Sequence, residues 1–571
     1  MSGTEEIVHR IDRRTVLKHA GVGGAAVVAW TTTGAAADDT ATEAPSTDAY
    51  ESILDDADGS GSEDDPYVLT DVVELQAMQA APDAHYELGG TIDASITHEW
   101  NETTAITDEV GRGFDREFYL SYRSFRESTV ELLLDGSPVD ERSYTLESDG
   151  RITVEEELSD EAAPVVATYT LSEPVFRGFV PIGDGDNDPF TGHFDGRGHE
   201  IRGLAVDRVA AHSVGLFASL QGTVRNLALV EADANGTSRV GALAGHCSDA
   251  VVRNVSVTGT VDGNDREETE ERSVGGAVGT LQESTIEATE ADVDVTGTDS
   301  VGGLVGGATE SSVTNCRASG DVISLLSTDI ALGGRGSVGG LVGSNWEGEI
   351  RESSATGDVV GVSQVGGLVG SANDEGRIVD CYATGAVDGG DGNHIGGLTG
   401  EIQASTVERS YAVGEVTGDS SSVGGLTGFV RQGGDDAENV LRASYWADDL
   451  VTQSASYGRI QYEDNTTVED IEALSAAEMR GESAESTMSA LDFEATWRSS
   501  DSDEFPELRA RLEEIGSREP VTPTPTATLE PTPTEPTDDD GGVRAGALAG
   551  VLAGLVGGVR VLRWLDGRES S

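Results

Sequence analysis

The sequence predicts an all-β fold: a right-handed parallel β-helix, or solenoid, of about eight coils. A short N-terminal capping helix, an inserted small β domain and a C-terminal transmembrane helix complete it. Two observations carry the solenoid. Eight copies of a Val-Gly-Gly-Leu-Val-Gly-like word begin at Val214, Val240, Val274, Val301, Val338, Val365, Ile395 and Val423, at intervals of 26, 34, 27, 37, 27, 30 and 28 residues. A period in this range marks stacked units that bury their apolar faces against one another. Downstream of each word, small or apolar residues alternate with polar ones. Cys316, Ala318, Gly320 and Val322 interleave with Arg317, Ser319 and Asp321, and Cys381, Ala383, Gly385 and Val387 repeat the pattern. Period two is the mark of a half-buried strand, and a small inward column suits positions that stack at about 4.8 Å per coil.

The word itself is apolar or Gly at every position, so it belongs to a strand buried on both sides or to a place where backbones approach closely. Its glycines also suit the positive φ of tight corners. Asn264 to Arg272 and Leu325 to Gly336 lengthen two intervals and read as loops bulging from single coils.

Before the repeats, Asp71 and Glu74 form a capping-box pattern ahead of the apolar stripe Val72, Leu75 and Met78. A helix there would shield the open edge of the first coil. Residues 99–176 interrupt the pattern. Glu127 to Leu134 and Tyr144 to Thr170 alternate around turns at Asp135-Gly136 and Asp149-Gly150, which reads as an inserted β domain.

The chain ends point outside the membrane. Arg13-Arg14, an apolar run from Ala20 to Trp30, and Ala35-Ala36-Ala37 resemble a twin-arginine export signal. Val521 to Thr537 alternates Pro with Thr; 17 residues of extended polyproline would span roughly 50 Å. The uncharged run Ala545 to Val559, extended by Val561, Leu562, Trp564 and Leu565, reads as a membrane anchor, with a surface-lying amphipathic helix as the alternative. Arg560, Arg563 and Arg568 follow it and favour a cytoplasmic end. The expected organisation is a signal at 1–37, a disordered acidic linker at 38–59, the cap and first coil at 60–98, and the inserted domain at 99–176. The solenoid follows at 177–446, then a closing segment at 447–519, a stalk at 520–542, the anchor at 543–565 and a tail at 566–571.

Asp and Glu number 104 against 36 Lys and Arg, giving a net charge of -68, and Lys18 is the only lysine. Such a balance excludes phosphate-rich nucleic acid as a partner. It resembles the exported proteins of extremely halophilic archaea. Of the three cysteines, Cys316 and Cys381 fall at equivalent positions two coils apart, about 9.6 Å, beyond the roughly 7 Å reach of a disulfide. All three read as small buried residues.

The words VGGLVG (301–306 and 338–343) and VGGLTG (423–428) resemble the GLUG motif family. So does the order Asp65-Pro66-Tyr67, Val73-Glu74-Leu75-Gln76, His85-Tyr86-Glu87-Leu88, Pro181-Ile182-Gly183 and Phe190 to Ile201, with Tyr445-Trp446, Trp497 and Phe505 to Leu508 as a closing segment. The resemblance implies a β-helix of a bacterial or archaeal surface, often in large adhesin-like or S-layer-associated proteins. The motif also occurs beside some immunoglobulin-A-type peptidases, but no catalytic metal or nucleophile motif is present here.

Candidate sites are few. Asp184, Asp186, Asp188 and Asp195 are spaced like a calcium loop, except that Pro189 stands where the loop needs Gly and Asp195 where it needs Glu. A solvated acidic turn is the simpler reading, and no cofactor is expected. Sequons at Asn101, Asn235 and Asn465 are glycan candidates, and Asn254 abuts a strand. The expected function is a membrane-anchored extracellular module for adhesion or envelope association, non-enzymatic, with a glycan or protein ligand at the cell surface. The alternative is a secreted carbohydrate-active β-helix enzyme, a lyase or glycosidase, for which two acids would have to face one groove.

The charge yields a first prediction. Below about 0.5 M salt the folded chain should lose structure as screening weakens. Circular dichroism across a salt series checks this; a spectrum unchanged down to millimolar salt contradicts it.

Overall fold

The computed structural model describes residues 44–509, apart from 113–115, 121–124, 141, 148–149, 155–157, 159–162, 184–187, 209–210, 264–271, 327–335, 419–421, 433–437, 452–454, 462–464 and 500–503. The signal, stalk, anchor and tail therefore lie outside the described residues, as do most of the two long loops. No helix among the described residues is long and apolar enough to cross a membrane.

Three parallel sheets run the length of the repeats. One has eight strands, Ser213–Val214, Arg239–Val240, Ser273–Gly275, Ser300–Gly302, Ser337–Gly339, Ser363–Gly366, Asn393–Gly396 and Val423–Gly424. Each holds the first residue of one Gly word, in the register Val301 on Val338 on Val365. We call it the narrow sheet. After a two-residue corner the word continues into a second, nine-stranded sheet, with Val305 over Val342 over Val369. We call this the middle sheet. The 24-stranded wide sheet carries the alternating segments, bent so that a coil can cross it in up to three short strands. There Ala318, Ala355, Ala383 and Ala412 stack in register, as do Val322, Val359, Val387 and Val416. Both columns are buried, as the alternation predicts.

The word's glycines set the spacing. A side-chain carbon on Gly306 would lie 2.4 Å from the Val274 nitrogen, one on Gly343 2.6 Å from that of Val301, and one on Gly370 2.4 Å from that of Val338. Backbones of the narrow and middle sheets thus touch with nothing between them, the second of the two situations that the sequence allowed. At the corner, a carbon on Gly303 would meet the Gly340 oxygen at 2.2 Å and the Ala318 methyl at 2.8 Å. The core is one glycine and one alanine thick at that level.

The turning of the corners departs from expectation. The word glycines do not have positive φ. The corners within the wide sheet use Asn226, Asn254, Ala288, Asn315, Glu352, Asp380, Arg409 and Ala443, with φ between 47 and 54°. The corners leaving the middle sheet use Asp249, Glu283, Glu310, Glu347 and Asp374. A side chain braces many of these turns. Ser353 Oγ donates to the Arg351 carbonyl at 2.7 Å and accepts from the Cys316 nitrogen at 3.0 Å; Ser410 does the same for Glu408 and Cys381. The local bond compensates for the strained φ.

Cys316 and Cys381 occupy that bracing position two coils apart, with Ser353 between, and all three cysteines are buried and free. Burial pushes the Cys247 and Cys381 thiols up to about 12.

At the N-terminal end Asp71 caps helix Val72–Ala77, accepting from the nitrogens of Val73 and Glu74 at 2.9 Å. Glu74 reaches back to Thr70, one residue before the cap, rather than to Asp71. The linker expected at 38–59 is corrected over its second half. Helix Tyr50–Asp56 buries Tyr50 and Leu54 in the solenoid core, because Tyr50, Ile53 and Leu54 share one helical face amid the acids.

The insertion forms its own core. Strands Glu102–Arg112 and Pro164–Phe176 pair antiparallel, and Ile106, Phe118, Leu132, Ile152 and Tyr169 are buried together. Asp135 and Gly136 both have positive φ, as a tight hairpin turn requires.

The far boundary is also corrected. Tyr457–Ile460 and Thr466–Leu474 add rungs to the middle and wide sheets beyond residue 446. No Gly word marks them, because an edge rung has no following coil to touch. The closing segment proper then folds back over the outer face of the wide sheet. Met479, Met488, Leu491, Trp497 and Leu508 bury Tyr382, Tyr411 and Tyr445 from outside.

Ala383 lies under Gly367, where a side-chain carbon would be only 3.0 Å from its methyl. Ala383→Trp should therefore lower stability by about 1–3 kcal/mol or more. Changing the half-buried Thr384 to Ser should be close to neutral. Denaturant midpoints of the two variants check the register, and equal shifts would refute it.

Candidate binding surface

The outward face of the wide sheet is not evenly acidic. Opposite charges sit on neighbouring rungs: Arg225 on Asp195 at 3.0 Å, Arg253 on Glu287 at 2.6 Å, Arg442 on Glu408 at 2.7 Å. Register puts Arg253 directly over Glu287 and Glu408 over Arg442, so the pairs are cross-strand neighbours. Asp380 is buried beside this ladder. Arg409 grips it with two bonds of 2.9 Å, and the Trp497 indole nitrogen of the closing segment approaches at 3.4 Å. Burial opposes ionisation of Glu408, but Arg442 and Arg409 outweigh it and hold its carboxyl below the usual value.

A second polar cluster lies between the narrow and middle sheets. Glu401, 1% exposed, accepts from Gln364 Nε2 at 2.8 Å, Arg431 Nη2 at 3.0 Å and Arg431 Nε. His394 brings Nδ1 to 2.7 Å from Glu401, off the hydrogen-bonding direction, and its ring stacks on Phe429 at 4.2 Å. Gln364 and His394 both take positive φ on adjacent rungs. Ser337 extends the chain of contacts to Gln364 at 2.6 Å and Ser371 at 3.0 Å. Burial pushes the Glu401 carboxyl up; the contacts from His394, Arg431 and Gln364 prevail and leave its pKa lowered. An acid, a cation and an imidazole converge here, but the carboxylate is closed off and saturated, so the cluster has no exposed reacting group.

The residues singled out from the sequence are scattered. Asp184 and Asp186 lie outside the described residues, and Asp188 is exposed. Asp195 is engaged structurally, accepting from the Arg197 nitrogen at 2.9 Å and from Arg225 and Asn226 at 3.0 Å. Among the described residues no group of three or more His, Cys, Asp and Glu could hold a metal ion. Asn101 donates to the Gly178 carbonyl at 2.7 Å. Asn235 sits mid-strand between Asp207 and Asp262, with its Oδ1 buried and unbonded, a poor place for a glycan. Burial and the Asp233 carboxylate raise neighbouring Asp207 to about 6. Asn254 donates to Asn226 at 2.8 Å within the same corner column. Asn465 stands half-buried at the start of the last rung of the wide sheet.

Sequence reasoning missed Glu401, His394, Arg431, Asp380 and Trp346. Breaks in otherwise regular columns would have found them. Glu401 stands where earlier coils have Gly307, Ser344 and Ser371, and Trp346 stands between Thr309 and Asn373.

Because its folded pKa lies below the ordinary 4.5, Glu401 contributes stability that is present above that pH and lost as pH falls through the folded value. Glu401→Gln should cost about 3 kcal/mol at neutral pH, near the low end for a broken buried pair because Arg431 is 39% exposed. The gap from the parent should narrow as acid is added. Urea midpoints in an acid series test this, and a gap independent of pH would assign the cost to packing alone.

Comparison with known proteins agrees with the geometry. The family model described as the GLUG motif matches residues 297–323, 334–360 and 361–388, each spanning one Gly word and the wide-sheet strands of its coil. Halomucin of Haloquadratum walsbyi is 31% identical over 204 residues, covering 35% of this chain but 2% of its own length. A crystal structure described as an immunoglobulin A1 protease from Bacteroides ovatus overlaps 80% of this chain and 95% of its own, at 14% identity and a TM-score of 0.32, too low to establish a shared fold. The coils at 297–388 are GLUG motif repeats, in a chain similar to halomucin.

Proposed function

We propose that the chain is a cell-surface protein whose solenoid is held outside the membrane as a binding or structural module of the envelope. The carrying observation is the unbroken ladder of coils, which offers a long lateral surface. Glu401 is shut in by its own partners and offers no acid or base to a substrate. The likeness to halomucin supports the surface location and the acidic, salt-adapted character.

In this reading the paired Arg13-Arg14 direct export of the folded chain, the Pro/Thr stretch from Val521 to Thr537 spaces the coils from the membrane, and the apolar run 545–559 anchors them. Arg560, Arg563 and Arg568 hold the end inside. Adhesion or envelope association then follows from display, with cell-surface or extracellular glycan or protein as partner.

Protease shaving of intact cells tests the topology. It should release a fragment ending near Thr537 and leave the tail, with Trp564, in the membrane. Recovery of the whole chain from cytoplasm with Arg13-Arg14 uncleaved would overturn the reading.

A further inference from the structure

Two successive coils have a corner built differently from the coils on either side. Where the chain leaves the middle sheet, Ser284, Ser311 and Ser405 brace their coils by donating to the carbonyl two residues back, at 2.6 to 2.8 Å. In the coil of Trp346 that serine is Gly348, and in the next coil it is Gly376. Against this corner lies Asn345, an amide in an inward column whose ladder neighbours are Ala308 and Ala372. Asn345 is buried and donates to the Gly348 carbonyl at 2.9 Å. A side-chain carbon on Gly348 would lie 2.2 Å from Asn345 Oδ1, so Asn345 needs the glycine there.

The altered corner carries Trp346. Its side chain is 47% exposed, whereas Trp100, Trp446 and Trp497 are buried. A single exposed apolar residue is ordinary on a protein surface; this one stands within a row of polar side chains. Its indole nitrogen donates to Glu347 at 3.2 Å. Ladder register places Gln282 and Thr309 on the preceding rungs and Asn373 and Gln403 on the following ones. That row has amides and a hydroxyl at about 4.8 Å intervals on either side of the ring. Beside it run the carboxylates of Glu310, Glu347 and Asp374.

We propose that Trp346 and this row bind a neutral glycan chain, one sugar ring stacking on the indole and hydroxyls of its neighbours bonding to Asn373, Thr309 and the flanking amides. The proposal rests on the surface-module reading above and names its partner. Charge selects the ligand class. A polyanion is repelled by a chain of net charge -68. A cationic partner loses most of its attraction at molar salt, where the Debye length is about 3 Å. A second copy of the chain has the same acidic surface. Stacking on an aromatic face and short directional hydrogen bonds survive screening.

The test uses the full chain in molar salt. Cello-, malto- and N-acetylchito-hexaose are titrated by calorimetry and tryptophan fluorescence, with polygalacturonate as the anionic comparison. At least one neutral hexaose should bind and perturb tryptophan emission. Trp346→Ala should weaken it about tenfold, and Trp346→Phe by less. Asn373→Ala should weaken it without moving the unfolding midpoint. No binding by any neutral hexaose, binding unchanged in Trp346→Ala, or preference for polygalacturonate would each overturn the proposal. Protease shaving is read on cells without glycan, so a failed platform with a released ectodomain leaves the surface reading standing.

Discussion

Direct contact between backbones organises this molecule. The narrow and middle sheets meet at columns of glycine, Gly306 on Val274 and Gly343 on Val301, with no room for a single methyl. That contact fixes the separation of two walls, and the third wall must then approach to the distance that one alanine fills. The alanine column at 318, 355, 383 and 412 follows from the glycines rather than from any preference of its own. Side-chain bulk is confined to the levels of the Val and Leu columns and to the two ends. At the N-terminal end Tyr86, Phe190, Phe194 and Phe217 cluster, and at the other end Trp446 replaces the alanine over Gly425. A narrow core between aromatic plugs suits a structure whose stability is summed from neighbouring coils.

Such a core leaves the corners no slack. They are turned by Asn, Asp, Glu and even Ala at positive φ, a conformation that costs an ordinary L-residue about 1–2 kcal/mol. The ladder holds them there because every rung above and below fixes the same path, and a serine or cysteine brace returns part of the cost. Most acids at these positions, such as Asp249, Glu283, Glu310 and Glu347, face solvent, so the corner columns also carry charge outward. Arginine is placed where it can offset that charge from rung to rung, as at Arg253 over Glu287 and Arg442 over Glu408.

What could be read in the sequence follows from which constraints are periodic. The Gly word and the Cys/Ala/Gly/Val column recur, so the coils that carry them, the inward register and the burial of Cys316 and Cys381 are legible, whereas the rungs before Val214 and after Trp446 lack the word. Dihedral angles are not written in residue type when the surroundings impose them, so the corners were assigned to glycine instead of Asn315, Glu352 or Glu310. The rungs at 457–474 lack the word because nothing stacks beyond them. Tyr382, Tyr411 and Tyr445 follow one another on the outward side of consecutive coils, a signal of a covering segment that alternation alone does not carry. The candidate site was hardly legible. Glu401 and His394 come together only because two residues of positive φ turn toward the middle sheet.

A repeat protein of this kind spends most of its sequence on sameness, so a departure within a column is informative in a way that it is not in an irregular fold. Some departures here explain themselves by closure: the tyrosines meet the closing segment, and Asp380 fastens it through Arg409 and Trp497. Glu401 is explained by its partners, each of which would be left buried or unpaired without it. The pairing of Asn345 with Gly348 is different. It occupies a corner that a serine braces in three other coils, and the core gains no apolar contact by it. On the outside of the same corner stands one exposed indole, Trp346. The proposed glycan platform would give this corner a purpose that packing alone does not supply.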